Sequence, residues 1–152
     1  MIRRSGLQAL RALLELSQEP RRWRSGPDLA ASQQLPAPTL EHLLLQLRRA
    51  GLVEARRGRH GGYRLRRPAA EVSLDSVLEA VDAHPAGITT GPPPGAQPEA
   101  VWDAEGRVTE ALQQRLRLAI DRELQRLTLE DLLFDLSSAR AALSDEGGLL
   151  LG

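Results

Sequence analysis

The stretch from Glu41 to Leu65, EHLLLQLRRAGLVEARRGRHGGYRL, constrains the fold more than any other part of the chain. Leu40, Leu43, Leu44 and Leu47 recur at the three- and four-residue spacing of one helical face, and Thr39, Glu41, His42, Gln46 and Arg49 fall on the other side. Gly51-Leu52-Val53 ends the helical pattern and begins an extended one. Leu52 to Arg56 and Tyr63 to Leu65 then read as two strands around a basic tip, Arg57-Gly58-Arg59-His60-Gly61-Gly62. Glycines so closely spaced permit positive φ and close backbone approach. Arginines and a histidine interleaved with them would repel one another at an idle tip, whereas the narrow, negatively charged minor groove of a duplex would draw them in.

The segments upstream fit the same plan. Ser5 to Gln18 carries Leu7, Leu10, Leu13, Leu14 and Leu16 as an apolar stripe, stopped by Glu19-Pro20. Arg21-Arg22-Trp23-Arg24 is a basic connector, with Trp23 open to a role at the core edge or against a partner. Ser25-Gly26-Pro27-Asp28 starts a second, short helix with Ser as N-cap and Pro near the first turn. Leu35-Pro36-Ala37-Pro38 is a turn, and a third helix begins near Pro38 or Thr39. Two short helices across a four-residue turn make a helix-turn-helix, and the strand pair that follows makes a wing.

From Ser73 the composition changes. Ser73 caps a helix with Leu74, Val77, Leu78 and Val81 inward, Asp75, Glu79 and Asp82 outward, and an end at His84-Pro85. Residues 85–98 are rich in Pro and Gly and read as an irregular loop. Pro98 opens a long helix running to about Leu127, with Trp102 in its first turns and Gly106 as a kink or break. Its ladder of Val108, Leu112, Leu116, Ile120 and Leu124 outruns what a small domain can cover, so a second copy is expected on it. Thr128-Leu129-Glu130-Asp131 approximates a capping box for a last helix with Leu132, Leu133, Phe134 and Leu136. The expected fold is mainly α with a small β-wing: a winged helix-turn-helix domain over 1–70, a connecting helix, loop and dimerisation helix over 71–142, and a disordered tail over 143–152.

Charge sharpens this. Residues 1–70 hold 14 Arg against 5 acids, and residues 71–152 hold 6 Arg against 15 acids, so a net charge of zero hides an opposition between the halves. Lysine is absent, so every cationic contact is a guanidinium, suited to bidentate phosphate or guanine contacts. The segregation marks the N-terminal half as built for a polyanion. Cysteine is also absent, which removes disulfides, thiol nucleophiles and thiolate-held iron–sulfur clusters. No run reaches the roughly 18 apolar residues of a membrane span, and the start of the chain lacks a signal-peptide pattern. A cytoplasmic protein without a membrane partner is the expectation.

The strings TLEHLLLQLRRAGLVEARRGRHGGYRLRRP (Thr39–Pro68), EVSLDSVLEAVDA (Glu71–Ala83), the Trp102-headed helix and LTLEDLL (Leu127–Leu133) resemble the bacterial Rrf-two (BadM/IscR/NsrR-like) winged-helix transcriptional regulators. The resemblance covers most of residues 5–136. It implies a homodimer with two wings and a crossed pair of long helices. It also implies that Thr39, Glu41 and His42 read major-groove bases, that Arg57 enters the minor groove, and that Gly58, Gly61, Gly62 and Tyr63 shape the wing. The departures are a more basic tip, Gln8 where the first helix usually has an aromatic, and no cysteine where many members hold a cluster, between Pro85 and Ala100. No cofactor is therefore expected.

The function expected is a dimeric repressor reading a palindrome in double-stranded DNA, with an effector the sequence does not identify. Pro38, Thr39, Glu41, His42, Gln46 and Arg49 would serve on the recognition helix, with Glu41 accepting from cytosine N4. Arg56, Arg57, Gly58, Arg59, His60, Gly61, Gly62 and Tyr63 would serve on the wing, and Arg3, Arg4, Arg24, Ser25, Arg48 and Arg64 would contact phosphates. An adaptor of winged-helix shape that has lost base reading is the alternative, its acidic half and Pro-rich loop docking a protein. An enzyme is disfavoured, because the three histidines share no catalytic spacing. Asp82 with His84 is the one pair considered for a metal.

Overall fold

Ala9, Leu10, Ala12, Leu13 and Leu16 form the buried face of helix α1 (Arg4–Gln18), around which the other elements assemble. The computed structural model describes residues 2–85 and 103–150. The buried stripe of α1 differs from the leucine spacing expected, since two alanines belong to it while Leu7 is 50% exposed. Small side chains let neighbouring helices approach, and leucine periodicity alone does not register them.

Helix α2 (Gly26–Gln33) is capped by Ser25, whose hydroxyl accepts from the Asp28 amide at 3.2 Å. It ends at Gln34 in the left-handed conformation, with Leu35 N–H bonded to the Ala30 carbonyl at 3.0 Å. Helix α3 (Ala37–Arg49) begins slightly earlier than expected, with Pro36 as N-cap and Pro38 in the first turn, where a missing N–H costs nothing. Leu40, Leu43, Leu44 and Leu47 are all buried, as the spacing predicts. A Schellman closure ends α3: Leu52 N–H bonds to the Leu47 carbonyl at 3.0 Å and Gly51 N–H to the Arg48 carbonyl at 3.0 Å.

Strands β1 (Val53–Arg56) and β2 (Gly62–Leu65) pair antiparallel, with Val53 opposite Leu65 and Arg56 opposite Gly62. Val53 and Leu65 point into the core, which places Glu54, Arg56 and Arg64 on the outer face by the two-residue period of a strand. Arg24 adds a third rung beside β2, exchanging backbone bonds of 2.7 and 2.9 Å with Tyr63.

A single 3-10 turn (Ala69–Glu71) leads into α4 (Leu74–Ala80), capped by Ser73. The helix stops at Ala80 rather than at His84, because Asp82 takes a left-handed φ of 50°. Val72, Leu74, Val77 and Leu78 join the same core as α1, so packing continues across residue 70. Helix α5 (Ala104–Arg126) is capped by Asp103, whose carboxylate accepts from Gly106 N–H at 2.8 Å. Gly106 therefore sits in the first turn and makes no break. The expected opening at Pro98, and Trp102, lie outside the described residues. Helix α6 (Leu129–Leu150) begins with a reciprocal capping box between Thr128 and Asp131. It runs through residues 143–150, expected to be disordered. Leu, Ser, Asp and Glu are tolerable or good helix formers there, and the two glycines cost only about 1 kcal/mol each. Arg140 of α6 donates to the Gln18 side chain at 2.8 Å, tying α6 back to α1.

Only part of the α5 ladder belongs to this core. Leu124 is buried and Ile120 packs against the core, whereas Val108, Leu112 and Leu116 are 68%, 53% and 49% exposed.

Candidate nucleic-acid interface

Thr39 and His42 are exposed on α3, and Gln46 is half-buried beside them. These three line one wall of an open groove of about 460 Å³, shared with Arg3, Gln8 and Asp82. Arg3 donates to the Asp82 carbonyl at 3.2 Å and lies 4.0 Å from its carboxylate, which fixes it at the groove rim. Arg48 and Arg49 are exposed in the last turn of α3, where cations suit the negative end of the helix dipole. Pro38 and Arg4 are also on the surface.

At the wing, Arg57, Gly58, Arg59 and His60 form an exposed tip. Arg56 donates to the His60 carbonyl at 2.7 Å, which closes the loop. Gly61 N–H bonds to the Gly58 carbonyl at 3.1 Å. Gly62 has φ of 139°, and a Cβ there would come within 2.3 Å of the Arg24 carbonyl oxygen, the atom that bonds Tyr63 N–H. The expected cost of Gly62→Ala is about 2–4 kcal/mol, from backbone strain plus loss of the Arg24–Tyr63 rung. Urea unfolding followed by far-UV circular dichroism measures it.

Four residues expected to touch DNA are committed inside the protein. The Arg24 guanidinium is largely buried, with Nη2 at 2.8 Å from Glu15 and Nε at 3.1 Å from Asp28. It anchors α1 to α2 through these two carboxylates. Ser25 spends its hydroxyl on the α2 cap. Arg64 is paired with Glu54 through Nε at 2.5 Å and lies over the Trp23 ring. Glu41 accepts a 2.9 Å hydrogen bond from the Tyr63 hydroxyl, and its carboxylate rests on Gly26, where a Cβ would come within 1.9 Å of Oε1. Glu41 thus joins α2, α3 and the wing, and that bond competes with any use of the carboxylate on cytosine. Burial, then the hydrogen bond and charge of Glu41, push the Tyr63 phenol above its ordinary value, so it remains a donor at neutral pH.

Glu15 illustrates how the frame is held. Burial pushes its carboxyl up, but hydrogen bonds from Ser32, Gln33 and Arg24 together with the Arg24 charge outweigh this and hold it below the ordinary 4.5. A depressed carboxylate stabilises the fold above its unfolded value and loses that contribution as pH falls through its folded value. Stability should therefore decline as pH drops below about 4.5, and Glu15→Gln should flatten that decline in thermal unfolding across pH.

The pair considered for a metal is not brought together. Asp82 is exposed and faces Arg3, whereas His84 Nε2 lies 3.3 Å from both Asp75 and Asp121. Asp75, read as outward, is mostly covered by this contact. Among the described residues no group of three or more His, Asp or Glu side chains is arranged to hold a metal ion.

The sequence profile of Rrf2, described as an iron-dependent transcriptional regulator, matches residues 2–135. The chain belongs to the Rrf2 family of transcriptional regulators. It is 35% identical over 138 residues, 88% of each chain, to a Synechocystis sp. protein assigned as an HTH-type transcriptional regulator, slr0846. The HTH-type transcriptional regulator IscR of Cereibacter sphaeroides is 44% identical over 64 residues, 42% of this chain and 41% of that one. Among solved structures, T. potens IscR superposes with a TM-score of 0.69 at 26% identity, covering 91% of this chain and 90% of that one. CymR, the global cysteine regulator of B. subtilis, gives 0.67 at 26% identity, covering 88% and 95%. This Rrf2 member is accordingly a DNA-binding helix-turn-helix regulator and not an enzyme. No helix among its described residues is long and apolar enough to cross a membrane. The family description includes iron, yet this chain has no thiolate to offer, so its residues do not fit a cysteine-held iron centre.

Sequence reasoning missed Glu15 and Gly26 as framework residues. The signal for Gly26 was its place directly after an N-cap, where a glycine leaves room for a neighbour's carboxylate.

Proposed function

We propose that this Rrf2 protein is a homodimeric repressor that reads a palindromic duplex site with two α3 helices and two basic wings. The observation that carries the reading is the Tyr63–Glu41 bond, which locks the wing beside the first turns of α3. A helix face bearing Thr39, His42 and Gln46 and a tip bearing Arg57, Arg59 and His60 thereby move as one body. Side chains of α3 would read base edges in a major groove, while the tip enters the adjacent minor groove and Arg3, Arg4, Arg48 and Arg49 hold phosphates. The exposed Val108, Leu112 and Leu116 on α5 supply the face for a second copy. Two-fold symmetry then sets half-sites about one helical turn, roughly 10 bp, apart. Repression follows if that site overlaps a promoter. Fluorescence anisotropy at moderate salt tests the reading: duplex from the protein's own upstream region should bind at least tenfold tighter than mixed-sequence duplex. Equal affinities would overturn it.

A further inference from the structure

Trp23 lies on the connector between α1 and α2, half-buried, and is not part of the hydrophobic core. The backbone rung between Arg24 and Tyr63 sets Trp23 alongside Arg64 at the root of the wing. The Arg64 guanidinium lies 4.2 Å and that of Arg56 4.7 Å from the centroid of the indole ring. Each spends one nitrogen on an internal bond, Arg64 Nε on Glu54 and Arg56 Nη2 on the His60 carbonyl. One carboxylate therefore accompanies two guanidiniums, leaving an excess of positive charge on a surface that packs no core. A ring face attracts cations through its quadrupole and allows two of them to be held close together.

We infer that Trp23 is a positioning residue for DNA binding, which holds Arg56 and Arg64 as a preformed pair for the phosphate backbone at the wing root. The inference rests on the DNA reading of the wing. An arginine ordered in advance binds without losing side-chain freedom at that moment, and a planar guanidinium with spare N–H groups suits phosphate oxygens. The Glu54 carboxylate orients Arg64 without cancelling the pair, since Arg56 has no carboxylate partner among the described residues. The internal commitment of Arg64 thus becomes a means of aiming it. Trp23 itself is assigned no contact with DNA.

The test uses the full chain and a mixed-sequence 30-base-pair duplex. Trp23→Ala should weaken binding about tenfold and lower the slope of log affinity against log salt by about 1 to 2, the signature of lost phosphate contacts. Trp23→Phe should recover most of the affinity, because its ring keeps a π-face. Trp23→Leu, which fills space without one, should not. Recovery by Leu equal to that by Phe would reduce Trp23 to a space-filler and overturn the inference. A second measurement leaves Trp23 in place: in Trp102→Phe protein, Trp23 is the sole tryptophan, and its emission should change when duplex saturates the protein. Unchanged emission at saturation would also overturn it. Parent protein that fails to bind any duplex would overturn the DNA reading, and this inference with it.

Discussion

Arg57→Ala combined with Arg59→Ala should remove most duplex affinity while leaving the fold intact. Both side chains are exposed at the wing tip, away from the Arg24–Tyr63 rung and the Tyr63–Glu41 bond that hold the wing in place. Each arginine lost from a groove or phosphate contact costs on the order of 1–2 kcal/mol, so the pair should weaken binding by about 30- to 1000-fold. The salt dependence should become shallower by about 2 in log–log slope, because two fewer counterions are released. Anisotropy titrations at several salt concentrations, beside thermal unfolding, measure both effects. A protein-binding adaptor would keep its partner in this variant. Unchanged duplex affinity would remove the wing tip from the DNA interface.

Leu112→Glu combined with Leu116→Glu should convert a dimer into a monomer. Along α5 the exposed residues Val108, Leu112 and Leu116 stand one helical turn apart on a helix about 35 Å long, and only its far end, at Ile120 and Leu124, is used by the protomer's own core. Burying each leucine on association contributes about 1.5–3 kcal/mol, and a glutamate in its place would have to bury a charge. Sedimentation equilibrium should give half the parent's mass. Affinity for a two-half-site duplex should fall by about 10²–10⁴, since the second half-site is no longer tethered to the first. A parent that is already monomeric, or a variant that remains dimeric, would contradict the assignment of α5.

The local features of this fold were legible in the sequence because their causes are local. Leucine spacing gave α3 and its buried face, and the glycine–arginine alternation gave the wing tip. Ser25, Ser73 and Thr128 gave three helix starts that the structure bears out through side-chain caps. What remained illegible depends on partners distant in the chain. Arg24 looked like one more surface cation until Glu15, nine positions earlier, was found beside it. Glu41 looked free to read bases until Tyr63, twenty-two positions later, was found bonded to it. Trp23 could have covered the core edge or met a partner, and only the pairing of Arg24 with β2 brought two wing arginines to its ring. The start of α5 is a different case. The Asp103 cap, a carboxylate that accepts from the Gly106 N–H, went unread in the sequence, and the expected opening at Pro98 lies outside the described residues. The terminal segment differs from the expected disordered tail, because Leu143 to Glu146 are tolerable or good helix formers and the two glycines after them cost little.

Two copies of this chain are expected to read one symmetric DNA sequence. Selection and sequencing of genomic fragments bound by the purified protein at moderate salt tests it most directly. The expected result is an enriched inverted repeat with half-site centres about 10 bp apart, with fragments from promoter regions over-represented. Bound fragments with no common sequence, or with a single unrepeated half-site, would contradict it.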